Sequence, residues 1–558
     1  MIRQRLHYPL ARDPSSWGWV GRCQAALGVS ILGKRLDWRT IFSFGLPFTL
    51  YLLTLAPTVY NLDSAELTTA AATAGLTRST GYPLYLTLGH LWSRIPIGDI
   101  GYRMNLFSAF AGALTIALLE RILRRWSVGG WAALGALGLL ATSMHFWALS
   151  LIAEVYTLQT ALMAGLILLL LRWGEKPTAQ RLALVGLALG LGLAHHGATV
   201  LLLPGCLWYF GTARPRKARS AAQLLGGAVG MILGLSFYLY LPFRHAAAPA
   251  YNYAGSYDAA GSFVPADLQT LGGFLGYITG RSFSGLMLAY QGAGFWRELA
   301  QFMLQLWRAF FAIGIGPGLL GAAALLRRYR PLGGMLLLMF GFNALFFVDY
   351  QAVDKETMFL PTYVIWALWL GLGYHWLHEL LRGRMGALRG RWHVRLFRGL
   401  ISMAVPLAIV WNWQLVDLSQ DSRSRELGER ILRQLEPDAL VLGYWDIVPI
   451  LEYLQAVEGW RADVRAINRF LITPWDMASL IQKEVVQRPV YIDSLPADLP
   501  ADILAVPEAS LYRLMPRWAM ASSAACTGPA RRLLERGNKE TSGARTPCFH
   551  PPSEERNP

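Results

Sequence analysis

Long apolar runs separated by short basic loops fill most of the chain. About 20 apolar residues cross the hydrocarbon core of a bilayer. By that measure the pattern predicts eleven membrane-spanning helices, at about residues 41–57, 104–120, 131–150, 155–171, 182–194, 197–211, 222–241, 309–326, 332–348, 358–377 and 399–415. Two connections are long, 58–103 and 242–308, and both hold semi-apolar stretches such as "PLYLTLGHLW" and "TLGGFLGYITG" that suit amphipathic helices at the membrane surface. After the last span the period changes. "ALVLGYW", "IVPILEYLQAVEGW", "DVRAIN", "WDMASLIQKEVV" and "PVYID" alternate strand and helix, which predicts a small α/β domain over 416–520. It has no glycine-rich phosphate loop and is assigned no nucleotide. Residues 521–558 are polar and are expected to be loosely ordered.

Composition agrees with the pattern. Of 558 residues 54% are hydrophobic and 15% charged, and the mean hydropathy is +0.34. A soluble chain would carry about 25% charged residues. The 21 Trp and 23 Tyr suit aromatic belts at the membrane interfaces. The net charge of +16 resides in the loops, so it reads as an orientation signal and excludes nucleic acid as a partner.

Counting spans from an inside N-terminus tests this reading. It puts Arg121, Arg124 and Arg125, then Arg172, Lys176 and Arg181, then "RPRKAR" (214–219), "RRYR" (327–330) and the arginines of 382–398 all on one side. The expectation is an integral protein of a bacterial cytoplasmic membrane. Its basic segment 1–40 lies inside, its 41–415 domain spans the bilayer, and the α/β domain lies outside. No cleavable signal peptide is evident. The four cysteines form no CxxC, and Cys526 and Cys548 could pair outside the membrane.

The chemistry concentrates on the outer side. Asp63 and Glu66, in "DSAE", directly follow the first span. The pattern is a capping box, with Asp63 as N-cap and Glu66 at N3 of a helix over Leu67–Ala74. The same carboxylates stand where a base would meet a hydroxyl acceptor at the lipid surface. Glu154, at the mouth between two spans, is either a helix-end acid facing water or a functional one. His195 and His196 sit where two spans meet, and His196 is a candidate phosphate contact. Arg244 and Arg281 lie outside, against the charge bias, and suit a leaving lipid phosphate. Snorkelling to headgroups is their other use. In "DYQAVDKE", Lys355 is a further phosphate candidate and Tyr350 a candidate acceptor contact. The expectation is no metal and no cofactor, although Asp63, Glu66 and Glu154 together offer the oxygen ligands a divalent ion takes.

"DSAELTTAAATAGLTRSTGYPLYLTLGHLWSRIPIGDIGYRMNLFSA" resembles the membrane proteins grouped as DUF2723, related to the TMEM-type protein O-mannosyltransferases of the GT-C glycosyltransferase superfamily. "AEVYTLQ", "GLAHH", "YLPFR", "FLGYITGRSF", "DYQAVDKETMFLPTY" and "PDALVLGYWDIVPILEYLQAVEG" follow as further blocks in family order, so the likeness covers most of 41–490.

The resemblance implies a GT-C bundle with its active site in the first outer loop. Asp63 would be the catalytic base, and Glu66 would orient it or the acceptor. Tyr82, in "TGYPLY", and Glu154 would support the acceptor. The implied partners are a polyprenyl-phosphate-linked sugar donor, mannose by analogy, a protein or glycan hydroxyl acceptor, and the bilayer. Where the family often has His-Pro, this chain has Arg78-Ser79, which makes Arg78 a phosphate candidate too. Two other classes stand beside this reading. One is a transporter or flippase of a lipid-linked substrate, for which no inverted repeat is visible. The other is a non-catalytic membrane scaffold.

Overall fold

The computed structural model describes residues 28–31, 34–213, 220–384, 389–497 and 499–518. The expectations for most of the N-terminal segment, for "RPRKAR", and for the tail with Cys526 and Cys548 lie outside the described residues.

A hairpin, β1 (Gly28–Ile31) and β2 (Lys34–Asp37), leads into α1 (Trp38–Thr54). The first long connection holds α2 (Asp63–Thr73) and α3 (Pro83–Trp92). Next come α4 (Ile100–Arg125), α5 (Gly130–Ala141), α6 (Met144–Ala148), α7 (Val155–Glu175), α8 (Ala179–His195), α9 (Leu203–Thr212), α10 (Ala221–Leu235) and α11 (Tyr240–Ala246). The second long connection carries the hairpin β3 (Gly255–Tyr257) and β4 (Phe263–Pro265), α12 (Leu271–Ile278) and the start of α13 (Ala293–Ala309). The bundle closes with α14 (Ile315–Arg328), α15 (Arg330–Val348), α16 (Leu360–Arg384) and α17 (Arg389–Val416).

Six stretches among the described residues are long and apolar enough to cross a bilayer: α4, α7, Ala221–Ala246, α15, Lys355–Arg382 and Trp392–Val416. The other expected spans coincide with shorter helices. The run 131–150, for example, breaks where Thr142 and Ser143 turn their hydroxyls back to Gly138 O and Leu140 O, so α5 has only 12 residues. At 1.5 Å per residue that is about 18 Å, too short to cross alone. Leu224, Leu225 and Ile232 on α10 and Leu407, Val410 and Trp411 on α17 are exposed. Such apolar faces suit lipid, and the protein is an integral membrane protein.

Glycines allow close helix contacts. On α8 and α10, a Cβ on Gly230 would stand 1.9 Å from Ala183 O, and one on Gly186 would stand 2.0 Å from Gly227 O. Small residues spaced by four let backbones approach in this way. Gly230→Ala is therefore expected to destabilise the protein by about 1–3 kcal/mol through overpacking. Gly165→Ala, where nothing lies within 4 Å, should be neutral. Thermal unfolding in detergent compares the two.

The bundle has two distinct ends. At one, Arg39 pairs with Glu120 (3.1 Å), Arg124 with Asp37, and Arg125 with Glu175. At the other, the start of α4 meets the segment after α1, and α2 begins.

Against that second end packs an α/β unit made of α18 (Arg423–Gln434), β5 (Leu440–Gly443), α19 (Val448–Ala456), β6 (Arg465–Asn468), α20 (Pro474–Glu484), β7 (Val490–Ile492), β8 (Ile503–Glu508) and β9 (Leu511–Pro516). The strand order is β6-β5-β7-β9-β8, with β6, β5 and β7 parallel. Val59 and Ala65 share a core with Ile450 and Leu454, so α19 lies on α2.

Candidate functional site

Asp63 is held from below by α4. Asn105, fully buried, donates its side-chain amide to Ala56 O (3.0 Å) and Thr58 O (2.8 Å). Gly101 allows α4 to close on the same segment, because a Cβ there would stand 2.2 Å from Val59 N. The chain then turns through Leu62 at φ 56° into α2, and Ser64 accepts from the Ala153 N–H at 3.1 Å. Ala74 and Tyr82 are also left-handed (φ 50° and 42°). Such strained positions gather at sites that the surrounding structure over-determines.

The capping box does not form. Leu62 is the N-cap, no side chain caps α2, and Asp63 is the first helical residue. Both acids turn to Arg78 instead. Its Nη1 donates to Asp63 Oδ1 at 2.8 Å and to Glu66 Oε2 at 3.1 Å. Its Nη2 donates to Asp63 Oδ2, and its backbone N–H donates to Glu66 Oε1 at 2.9 Å. A guanidinium that meets a carboxylate with two parallel bonds outcompetes a neutral backbone donor. Glu66 is 2% exposed, and burial, only partly offset by Arg78, pushes its carboxyl up to about 7. The site thus holds one carboxylate clamped by a cation and a second, deeper one that titrates near neutrality.

Around the acids, Tyr82 stacks on His196 with centroids 5.5 Å apart, and Tyr156 lies 5.9 Å from the same ring. His196 Nδ1 accepts from the Ala198 N–H (3.1 Å), which leaves Nε2 to carry the proton. His195 is buried and bonded to Val155 O (2.8 Å). Glu154 Oε2 is buried without a hydrogen-bond partner among the described residues. Desolvation, with Asp63 as the next cause, pushes the Glu154 carboxyl well above the usual range.

The other candidates stand apart from the acids. Arg244 donates through Nε to Ala74 O (2.6 Å) at the end of α2, and Arg281 is exposed. Neither has a carboxylate partner among the described residues. Lys355 is buried in an ion pair with Glu298 (2.6 Å), with its ammonium 4.5 Å from the Tyr290 ring centre. A phosphate would have to compete with Glu298 for it. Tyr350 stacks on Phe346 (6.0 Å) and forms a bridge to Met287. No three His, Cys, Asp or Glu side chains among the described residues, Asp63, Glu66 and Glu154 included, stand together as a metal-ligand set.

Sequence reasoning missed one wall of the site. The Trp445 ring centre lies 4.6 Å from the Arg78 guanidinium carbon. Trp445 directly follows β5, so "LGYW", a strand ending in aromatic residues, carried the signal: ligands of open α/β sheets bind outside the carboxyl ends of the strands. The second long connection also joins here. Leu76 N donates to Tyr251 O (3.0 Å), Tyr253 N to Leu76 O (2.9 Å), and the Tyr253 hydroxyl to Glu452 on α19.

Burial pushes Glu452 up to about 8, with the Tyr253 hydroxyl opposing and Glu66 adding to the rise. Native Glu452 therefore keeps a proton that the unfolded chain loses near its ordinary value of 4.5. Stability should fall as pH rises between those two values, by at most about 1.4 kcal/mol per pH unit from this group. Glu452→Gln should flatten that slope, as thermal midpoints at about pH 5 and about pH 8 would register.

Comparison with known proteins adds the following. Residues 63–219 match a sequence model described as the protein O-mannosyl-transferase TMEM260 N-terminal domain. The chain is 25% identical over 452 residues to a protein O-mannosyl-transferase TMEM260 of Mus musculus, covering 76% of this chain and 61% of that protein. It is 22% identical over 486 residues to a protein O-mannosyl-transferase tmem260 of Dictyostelium discoideum, covering 79% and 58%. It therefore spans about three-fifths of the length of the curated relatives it matches.

The crystal structure of ArnT from Cupriavidus metallidurans in the apo state superposes with a TM-score of 0.55 at 12% identity, covering 85% of this chain and 97% of that one. The undecaprenyl phosphate-bound form gives 0.52 at 11%, with the same coverage. The chain thus has an ArnT-like fold, and its acid site opens the segment similar to the TMEM260 N-terminal domain.

Proposed function

We propose that the protein is a membrane glycosyltransferase that moves a sugar, mannose by analogy with the matched relatives, from a polyprenyl-phosphate carrier to an acceptor hydroxyl, the acceptor being a protein Ser or Thr. The observation that carries this reading is the carboxylate pair clamped by Arg78 at the mouth of an ArnT-like bundle. The undecaprenyl phosphate seen in ArnT supports the donor class, and the relatives' names support the acceptor.

In the reaction Asp63 takes the acceptor's hydroxyl proton. The acceptor oxygen bonds to the anomeric carbon while the bond from that carbon to the phosphate oxygen breaks, and its electron pair leaves on the polyprenyl phosphate. An arginine bound to both oxygens of Asp63 occupies the lone pairs that a hydroxyl proton would take. The arriving donor phosphate competes for Arg78. When the guanidinium turns to that phosphate, it frees Asp63 and neutralises the charge that grows on the leaving group. Arg244 and Arg281, which have no carboxylate partner among the described residues, are further candidate cations for that phosphate. We place the site and the α/β unit on the outer face, because the basic clusters Arg121–Arg125 and Arg172–Arg181 sit at the opposite end of the bundle.

Attack opposite the leaving phosphate inverts the anomeric centre. The test is the configuration of the glycosylated product by NMR, from a donor of known configuration. The opposite configuration is expected. Retention would overturn the single displacement.

A further inference from the structure

Five aromatic rings lead outward from the acid site. Trp445, over Arg78, lies between Tyr253 (5.5 Å) and Phe470 (5.6 Å). Tyr251 follows Tyr253 at 5.0 Å, and Tyr444 follows Phe470 at 5.3 Å. The two arms differ in exposure. Tyr251 and Tyr253 are 4% and 3% exposed, whereas Tyr444 is 38% and Phe470 67% exposed. Packing does not account for a phenyl ring left in water one step from Trp445, the ring over Arg78.

The position of these rings is informative. Tyr444 and Trp445 follow β5 directly, and Phe470 comes two residues after β6. These are the carboxyl ends of adjacent parallel strands, the edge where open α/β sheets take ligands.

Arg469 anchors this edge: its Nη1 donates to Asp493 Oδ1 (2.8 Å) and to Ser494 O and Oγ (both 2.9 Å), and its guanidinium lies 4.1 Å from the Tyr444 ring centre. Exposed rings beside an acid that meets a hydroxyl fit an acceptor with apolar groups on both sides of that hydroxyl. An extended polypeptide offers them, whereas a glycan offers mostly hydroxyls.

Building on the transferase reading above, we propose that the crevice formed by Trp445, Phe470 and Tyr444 is the acceptor subsite, seating an extended polypeptide whose Ser or Thr hydroxyl reaches Asp63 past Trp445. Phe470 and Tyr444 would grip the residues flanking the modified hydroxyl. The α/β unit then sets which segments are modified.

The test measures transfer from labelled polyprenyl-phosphate-mannose to a series of Ser/Thr peptides and to free oligosaccharides, with full-length wild type, Phe470→Ala and Tyr444→Ala in nanodiscs. Phe470 is 67% exposed, so its truncation leaves the core intact. The expected result is a peptide KM raised about tenfold with kcat nearly retained, the signature of lost uniform binding. Unchanged peptide KM in both variants, with wild type active, overturns the subsite. So does wild-type transfer to oligosaccharides but to no peptide, which makes the occupant a glycan. Wild type that transfers to no acceptor at all refutes the transferase reading itself, which the other two outcomes leave standing.

Discussion

Asp63→Asn is expected to bind the sugar lipid and transfer from it about 10²- to 10⁴-fold more slowly, the range a positioned general base supplies. The substitution is nearly isosteric and removes the proton acceptor together with one of the two bonds to Arg78. Asp63 is the first residue of α2, with its backbone set by Leu62 and by the Ser64 contact to Ala153, none of which depends on the carboxylate charge. An amide oxygen still accepts one bond from Arg78, so the guanidinium keeps a partner. The loss should therefore fall on kcat, with the donor bound at least as tightly as by wild type because the asparagine competes less for Arg78, which equilibrium binding of the sugar lipid and single-turnover transfer would separate. Glu66→Gln should lose far less, because Glu66 is 2% exposed and meets Arg78 from beneath rather than the acceptor.

Arg78→Ala is expected to fail twice. It strips the cation from two carboxylates, one of them deeply buried, and breaking such a pair from one side destabilises by on the order of 3 kcal/mol. It also removes the group that meets the departing phosphate, and loss of one such electrostatic contact typically lowers kcat by about 10²- to 10³-fold. A double variant separates the two effects. In Arg78→Ala/Glu66→Gln the uncompensated buried charge is gone, so the thermal midpoint should recover most of its loss while transfer stays low. Arg78→Lys should keep much of the stability and little of the rate. A lysine places one charge but cannot span Asp63 Oδ1, Asp63 Oδ2 and Glu66 Oε2 together.

Local pattern anticipated the helices and the chemistry near them, and failed where distant segments meet. A helix stands at each expected span because apolar runs and basic loops are properties of neighbouring residues. The acid pair was visible for the same reason. Its capping role was misjudged because "DSAE" carries no sign of a guanidinium that arrives 12 and 15 residues later and binds carboxylates better than backbone amides do. The cations illustrate a second limit. Lys355 reads as a free charge in "DYQAVDKE", yet its counter-ion, Glu298, lies in another helix. Trp445 is the largest omission. It reaches the acid site because α19 packs on α2, a contact between residues nearly four hundred apart that leaves no periodic trace in either segment.

The central claim is that the Asp63–Arg78–Glu66 site transfers sugar from a lipid phosphate to a hydroxyl. The most direct measurement is product stoichiometry. Purified wild type in nanodiscs would be given polyprenyl-phosphate-mannose labelled in both the sugar and the lipid, together with Ser/Thr peptides, and both labels followed. The prediction is one polyprenyl phosphate released for each sugar bound to peptide, with both products formed about 10²- to 10⁴-fold more slowly by Asp63→Asn. Sugar transfer by Asp63→Asn at the wild-type rate, or sugar lipid left intact by wild type with every acceptor, would contradict it.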